Sequence, residues 1–176
     1  MAKIGFIGMG NMGSAILGGL LKRYDAKELL FTAAHREKME EVTRRTGVPY
    51  GESNGDCAAR CKYLILAVKP QYFETVFQEI EGQLKPEQVI VSLAPGITIS
   101  AMKKRLGQNK RFARAMPNTP ALLGEGITGL AYEKGSLSPE EENELQGIFE
   151  ACGKVEVVEE RLMNAVGCVS GSSPAF

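Results

Sequence analysis

Three glycines near the start of the chain have the spacing of a loop that holds phosphate. Residues 8–13 read Gly-Met-Gly-Asn-Met-Gly, which is the pattern G-x-G-x-x-G. In such a loop Gly8 makes a tight turn, Gly10 lets the backbone approach a pyrophosphate, and Gly13 lets a helix pack closely on a strand. The alternative is a glycine-rich turn that binds nothing, and the neighbouring elements decide between the two.

The elements on either side of this loop favour a dinucleotide site. Residues 3–7 form an apolar run that is too short for a helix and is typical of a buried parallel strand. Directly after the first glycines, Met12, Ile16 and Leu20 recur at helical spacing. A helix that starts there offers free N–H groups and the positive end of its dipole to a phosphate. We therefore predict that the loop binds a dinucleotide.

The end of the second predicted strand bears on which dinucleotide is bound. Residues 28–34 contain the run Leu-Leu-Phe-Thr and are followed by His35 and Arg36, with no carboxylate between this run and Glu37. An acidic residue at this point would accept from the ribose 2′-hydroxyl of NAD, whereas an arginine accommodates the 2′-phosphate of NADP. The sequence therefore favours NADP, with NADPH preferred over NADH. The alternative is that Arg36 is a solvated charge at the start of a helix.

Strand and helix patterns alternate along most of the chain. Further strands are predicted at residues 48–50, 63–68, 89–93, 111–116, 127–132 and 154–158, and helices at residues 37–46, 71–84, 98–106 and 138–151. A short helix is predicted to carry Cys57 and Cys61 on one face as half-buried thiols. This order predicts an α/β fold over residues 1–158, a Rossmann-type mostly parallel sheet with helices on both faces. Ligands of such sheets bind at the carboxyl ends of the strands, where Lys69 and Pro70 follow the most apolar run.

The composition excludes several classes of function. The chain of 176 residues is 44% apolar and 24% charged, with 21 basic and 21 acidic residues. This balance provides no basic field for nucleic acid or an anionic membrane, and the apolar runs are too short to span a bilayer. Four cysteines, too sparse for a disulfide scaffold, and an N-terminus that already forms a core strand indicate a cytoplasmic protein without a signal peptide. Because His35 is the single histidine, we expect neither a catalytic triad nor a metal site.

Five segments, taken in order, resemble those of one enzyme family. They are residues 5–13, Leu-Ala-Val-Lys-Pro-Gln at 66–71, Val-Ser-Leu-Ala-Pro-Gly-Ile-Thr-Ile at 91–99, Arg-Ala-Met-Pro-Asn-Thr-Pro at 114–120, and Ser-Gly-Ser-Ser-Pro-Ala at 170–175. Together they are similar to the pyrroline-5-carboxylate reductases. Many oxidoreductases share the first segment, but Ala-Val-Lys-Pro, Met-Pro-Asn-Thr-Pro and Ser-Gly-Ser-x-Pro-Ala in this order are typical of that family.

The resemblance implies an activity and a set of site residues. The activity is reduction of the C=N bond of 1-pyrroline-5-carboxylate to L-proline by hydride transfer from NAD(P)H, the last step of proline biosynthesis. No catalytic side chain is implied, because the cofactor carries the reactive hydride and the protein positions it. The implied cofactor contacts are Gly8, Met9, Gly10, Asn11, Met12, Gly13, Ala33, His35, Arg36, Asn54, Ala67, Val68, Lys69, Pro70 and Ala94. The implied substrate contacts are Asn118, Glu160, Ser170, Gly171, Ser172 and Ser173.

The resemblance also implies how the chain is organised after residue 158. Residues 159–176 are expected to begin an all-helical domain, truncated here, that completes the substrate site and forms a homo-oligomer. Without the rest of that domain, we expect the chain to bind NADPH with little turnover of pyrroline-5-carboxylate. The small residues at 170–173 are expected to hold the substrate carboxylate ahead of a helix that starts at Pro174, and a plain helix cap is the alternative.

Two other functions remain open at this point. A Rossmann dehydrogenase of the β-hydroxyacid or 6-phosphogluconate type would share the glycine loop, and a regulatory module would bind the nucleotide without turnover. Lys69 is a candidate acid at the ligand edge, although contact with a cofactor phosphate or ribose is its favoured role. A comparison of pyrroline-5-carboxylate with β-hydroxyacids as substrates separates the two enzymes.

Overall fold

The computed structural model describes residues 2–118, 120 and 123–165 and is built on a seven-stranded sheet. The strands are β1 (Ala2–Ile7), β2 (Leu29–Thr32), β3 (Cys61–Leu66), β4 (Val89–Ser92), β5 (Arg111–Met116), β6 (Gly126–Tyr132) and β7 (Gly153–Val157). The α-helices are α1 (Asn11–Leu20), α2 (Arg36–Thr46), α3 (Asn54–Ala59), α4 (Phe73–Ile80), α5 (Ile99–Leu106) and α6 (Pro139–Glu150). Short 3₁₀ turns cover Ala26–Glu28, Pro70–Tyr72 and Glu160–Leu162.

The strands lie in the order β2-β1-β3-β4-β5-β6-β7. Strands β1 to β5 pair in parallel, β6 runs antiparallel to β5, and β7 runs parallel to β6. Because β1 and β2 are neighbours and the chain then crosses to β3 on the other side of β1, the strand order reverses beside β1. This reversal is the point at which open α/β sheets bind ligands. The predicted Rossmann-type, mostly parallel sheet is confirmed.

Both faces of the sheet are buried under helices, so its central strands are apolar along their whole length. In β3 the side chains of Tyr63 and Ile65 pack with α1 and α6 on one face. Leu64 and Leu66 pack with α3, α4 and α5 on the other face. The alternation follows from the two-residue period of a strand, and it explains why a continuous apolar run marked this strand in the sequence.

Two predicted elements differ in the structure. The strand predicted at residues 48–50 is a single bridge between Phe31 and Tyr50. The amide of Phe31 donates to the carbonyl of Pro49 and the amide of Gly51 donates to the carbonyl of Phe31. A further rung towards the amino end would require an N–H at Pro49, which proline lacks, so the pairing cannot extend in that direction.

The prediction that Cys57 and Cys61 share a helix face is wrong, because α3 ends at Ala59 and Cys61 begins β3. Both thiols nevertheless meet at Gly5 in β1, where an added Cβ would lie 2.7 Å from the Cys61 sulfur and 3.2 Å from the Cys57 sulfur. Both residues are fully buried rather than half-buried. Burial raises the pKa of both thiols, that of Cys61 to about 12, so they are packing groups rather than nucleophiles.

A charged cluster ties α6 to the amino ends of β3 and β5. The Glu141 carboxylate accepts from Lys62 Nζ at 2.7 Å and from Arg111 Nη1 at 2.5 Å. It also accepts from the backbone N–H of Ser138, which completes a capping box at the start of α6. The hydrogen bond from Arg111, above all, lowers the pKa of the Glu141 carboxyl to about 2.

We expect Glu141→Gln to lower the free energy of unfolding by roughly 2–3 kcal/mol at neutral pH, because two cations lose their shared anion. The folded-state pKa lies below the ordinary value of 4.5, so this stabilisation is present above that pH and is lost as the pH falls towards 2. Urea unfolding at neutral pH and near pH 3 measures the free energy of unfolding of both proteins. The difference in that free energy between Glu141→Gln and the unchanged chain should shrink in acid.

Glu140→Gln is the matched control, because Glu140 lies in the same first turn and is exposed. It should cost less than about 1 kcal/mol, the scale of a helix-dipole interaction. Equal losses in the two variants, or a Glu141→Gln loss that persists in acid, would contradict the assignment.

Candidate functional site

The first glycine of the loop fixes a close approach of two strand ends. Gly8 follows β1 with φ +98°, a region that residues with a side chain rarely adopt. A Cβ at Gly8 would lie 2.6 Å from the carbonyl oxygen of Ala67 and 2.9 Å from a methyl of Val68. The turn after β1 therefore packs directly on the segment after β3, and only glycine fits there.

The second glycine lies in open space at the start of α1. Gly10 is the N-cap residue of α1 and is exposed, and an added Cβ would meet no atom within 4 Å. No side chain caps the helix, and no acidic residue lies in its first turn. The first N–H groups of α1 are thus available to an anion. At Gly13 a Cβ would lie 2.9 Å from the Gly8 carbonyl oxygen, which shows why the third position is also glycine.

Backbone hydrogen bonds align the ends of four parallel strands at this edge. The amide of Gly8 donates to Thr32 at the end of β2, and the amide of Ala67 donates to Ile7 at the end of β1. The amide of Leu93, after β4, donates to Leu66 at the end of β3. The segments that follow these strands therefore form one continuous ligand edge.

Two adjoining clefts open beside the loop, between the end of β2 and helices α3 and α4. The larger has a volume of about 1230 Å³ and a polar lining that includes Arg36, Tyr50 and Glu52. The smaller has a volume of about 260 Å³, and apolar side chains such as Val68 and Val76 form much of its wall. The residues common to both linings are Ala33, Ala34, Asn54 and Glu79.

A chain of side-chain hydrogen bonds crosses the boundary between the clefts. The hydroxyl of Thr32, the last residue of β2, donates to Asn54 Oδ1 at 2.6 Å, and Asn54 Nδ2 donates to Glu79 Oε2 at 2.6 Å. The sequence provided no reason to single out Glu79, which lies far along the chain from β2. The one sequence feature that could have pointed to it is weak: Glu79 lies on the polar side of a helix that starts at the ligand edge.

Arg36 lies where a 2′-phosphate would be expected, at the first position of α2 and in the lining of the larger cleft. Its Nε donates to Glu40 Oε1 at 3.1 Å, an exposed pair within the helix. That hydrogen bond raises the pKa of the guanidinium, which stays charged. His35 is the N-cap residue and makes no side-chain capping bond, so the first N–H groups of α2 are uncapped, but unlike α1 this helix has an acidic residue, Glu37, in its first turn.

The remaining cofactor candidates surround the loop in different ways. Asn11, Lys69 and Pro70 are exposed at the same edge, and Met12 packs on the core beneath it. Met9 and Ala94 are buried. Gly8, Ala33, Asn54 and Val68 line the smaller cleft, whereas His35, Lys69, Pro70 and Ala94 line neither.

Glu160 and Asn118, the two substrate candidates within the described residues, each accept a hydrogen bond from a backbone N–H. Glu160 Oε1 accepts from the N–H of Ile99 at the start of α5, at 2.7 Å, and from Arg114 Nη1 at 3.3 Å. Arg114 is 4% exposed and, through this ion pair, fastens the segment after β7 to β5. Asn118, 7% exposed, accepts from the N–H of Ile127 at 3.0 Å. Ser170, Gly171, Ser172 and Ser173 lie outside the described residues.

Neither a metal site nor a membrane-spanning helix is found in the part of the chain that the structure describes. No three His, Cys, Asp or Glu side chains there converge to hold a metal ion. Within the same residues, every helix is too short or too polar to cross a membrane.

Comparison with known proteins assigns the family. The model of the family described as NADP oxidoreductase, coenzyme F420-dependent, matches residues 3–96. The chain belongs to that family. It is also 36% identical over 176 residues to the pyrroline-5-carboxylate reductase of Escherichia coli (strain K12). That match covers 99% of this chain and 65% of the relative, so the chain spans about 65% of the length of such relatives.

Solved structures agree with the sequence relatives. A pyrroline-5-carboxylate reductase from Coxiella burnetii has a TM-score of 0.92 and 32% identity, covering 99% of this chain and 65% of its own. The Plasmodium falciparum pyrroline carboxylate reductase, solved with NADP bound, has a TM-score of 0.86 and 27% identity, covering 99% of this chain and 64% of its own. The resemblance that the five segments indicated is confirmed.

The open geometry at Gly10 leads to a direct test of the loop. We expect Gly10→Val to abolish dinucleotide binding, because its branched side chain would occupy the space beside the free N–H groups. The fold should tolerate it within about 1 kcal/mol, since φ is −81° and an added Cβ meets no atom. Calorimetric titration with NADP⁺ and thermal unfolding of the free chain measure the two effects.

Gly18→Ala is the matched control in the same helix, because Gly18 is exposed and its added Cβ also meets no atom. Binding should be unchanged, and the helix should gain about 0.5–1 kcal/mol. NADP⁺ binding that survives Gly10→Val would place the phosphates elsewhere.

Proposed function

We propose that the protein reduces 1-pyrroline-5-carboxylate to L-proline with a nicotinamide dinucleotide. The observation that carries this proposal is the open glycine loop at the reversal of strand order, in a chain 36% identical to a pyrroline-5-carboxylate reductase over 99% of its length. Further support comes from the family model, which describes NADP oxidoreductases.

The residues fit such a cofactor at three places. The free N–H groups at the start of α1 would hold the pyrophosphate, and the smaller cleft with its boundary to the larger one would hold the adenosine. Ala67 to Pro70 would follow the cofactor towards its nicotinamide. When bound, the reduced nicotinamide supplies a hydride. Added to the carbon of the substrate's C=N bond, with a proton on the nitrogen, this hydride would convert the bond to CH–NH and leave the cofactor oxidised.

On this proposal the chain's residues position the reactants and carry no covalent step. Asn118 and Glu160, together with Ser170 to Ser173, would lie beside the substrate, and small residues before Pro174 would leave N–H groups for its carboxylate. The engagement of Glu160 with Ile99 and Arg114 supports a fixed orientation of its carboxylate. Lys69 would contact the cofactor, and its exposed position at the ligand edge supports that role.

We further propose the organisation that the resemblance implies. Residues 1–158 would form the cofactor domain, and residues 159–176 would begin a helical domain through which a homo-oligomer assembles. A cytoplasmic location is supported by three buried, unpaired cysteines among the described residues, since free thiols persist in a reducing compartment.

A steady-state assay of a protein that contains this chain together with the rest of the proposed helical domain tests the proposed activity, because the 176 residues alone are expected to give little turnover. Oxidation of NADPH should require pyrroline-5-carboxylate and should yield proline in equal amount. β-Hydroxyacids with NADP⁺ should give no turnover, which excludes the related dehydrogenases. NADPH binding with no oxidation in the presence of pyrroline-5-carboxylate would instead support a regulatory module and overturn the proposal.

The proposed cofactor preference is NADPH over NADH. Its support is the absence of a carboxylate directly after Thr32, the position of Arg36 in the larger cleft, and the uncapped start of α2. A guanidinium and free N–H groups together suit a 2′-phosphate.

We expect Arg36→Ala to weaken NADPH binding by about tenfold or more and to leave NADH binding nearly unchanged, because it removes a charge-assisted contact to the 2′-phosphate. Titration of each cofactor measures the effect. Arg45→Ala is the control, since Arg45 also pairs with a glutamate on α2 but lies in the last turn. Equal losses for NADPH and NADH would contradict the preference.

A further inference from the structure

We propose that Glu79 accepts a hydrogen bond from a ribose hydroxyl of the cofactor's adenosine, and that its charge limits the preference for a 2′-phosphate. The inference rests on the proposed nucleotide site and assigns a residue that sets its specificity. Glu79 lies on α4, an element that the glycine-loop pattern does not include.

The place of Glu79 in the site is the first support. It lines both clefts, together with Ala33, Ala34 and Asn54. The smaller cleft, with apolar walls beside Gly8, suits a flat base, whereas the larger cleft contains Arg36 and suits a phosphate. The ribose joins the base to the pyrophosphate and, in NADP, to the 2′-phosphate. It would therefore lie at the boundary of the two clefts, where Glu79 is found.

The hydrogen-bond chain fixes how the Glu79 carboxylate is presented. A carboxylate can only accept, so the Asn54 atom that faces it is the amide nitrogen. The Asn54 oxygen then faces Thr32, whose hydroxyl donates to it. Oε2 of Glu79 is engaged in this way, whereas Oε1 has no hydrogen-bond partner among the described residues. A ribose hydroxyl is a donor that this second oxygen can accept.

Close packing holds α4 in the position that the chain of hydrogen bonds requires. A Cβ at Gly55 would lie 3.0 Å from the backbone oxygen of Glu79, so α3 approaches α4 as closely as a glycine permits. On the opposite side of α4, Val76 and Ile80 are buried in the core. Glu79 is therefore presented from a packed helix rather than from a mobile loop.

The charge of Glu79 opposes a 2′-phosphate at the same place. The lining of the larger cleft contains one basic residue, Arg36, and three acidic residues, Glu52, Asp56 and Glu79. Asp56 is paired with Arg60 at 2.9 Å, but Arg36 is itself paired with Glu40. A phosphate at the boundary would thus gain from Arg36 and the start of α2 and lose from Glu79. The same carboxylate favours the free 2′-hydroxyl of an NAD-type ribose.

The test compares two fragments of the cofactors, 5′-AMP with its free hydroxyls and 2′,5′-ADP with a 2′-phosphate. Glu79→Gln removes the charge, and with the new side-chain oxygen accepting from Asn54, as Oε2 of Glu79 does, the amide nitrogen that faces the ligand cannot accept. We expect 5′-AMP to bind about three- to tenfold more weakly and 2′,5′-ADP about three- to tenfold more tightly. Calorimetric titration of the chain with each fragment gives both constants.

Glu74→Gln is the matched control on the same helix, because Glu74 pairs with Arg105 and lines neither cleft. It should change neither binding constant by more than about twofold. Opposite shifts of the two fragments in Glu79→Gln support the assignment, since a loss of packing would weaken both. Equal weakening, or constants within about twofold of the unchanged chain, would overturn it. Failure of the unchanged chain to bind either fragment would overturn the nucleotide site itself.

Discussion

The contact between the turn at Gly8 and the carbonyl of Ala67 is the constraint on which the rest of the site depends. Strand β1 is paired on both sides, with β2 and β3, and is buried on both faces, so its end cannot move away from the end of β3. The left-handed turn at Gly8 accepts that closeness and directs the chain into α1 with its first N–H groups exposed. Without a glycine there, the loop and the segment after β3 would compete for the same space.

The two ends of the sheet have different tasks. At the amino ends of β3 and β5, Glu141 compensates two cations and fastens α6. At the carboxyl ends, backbone N–H groups and the boundary residues of the clefts are left available. Paired, partly buried charges therefore support stability at one edge, while the other edge retains uncapped backbone groups. Arg114 and Glu160 are the exception, since they combine a buried ion pair with a position beside the start of α5.

The sequence was sufficient for the features that depend on local pattern. The strands and most helices followed from apolar period and capping, and the glycine loop from its spacing. The strand predicted at residues 48–50 is only a single bridge, beside a proline that lacks an N–H. The prediction that Cys57 and Cys61 share a helix face is wrong because α3 is only six residues long. Glu79 and the Arg114–Glu160 pair could not be predicted, because their partners come from remote parts of the chain. Such contacts are set by the packing of helices on the sheet, which no short pattern encodes.

The two thiols packed on Gly5 have a consequence for how the protein tolerates oxidants. Each sulfur already fills the space that a side chain at position 5 would need, and neither is accessible to solvent. An oxygen atom added to either sulfur would need room in a close-packed core beside β1, the strand that leads into the glycine loop. The chain therefore resists brief oxidation, since a reagent must wait for the core to open. Once that happens, we expect the added oxygen to hinder the sheet from closing again beside the glycine loop.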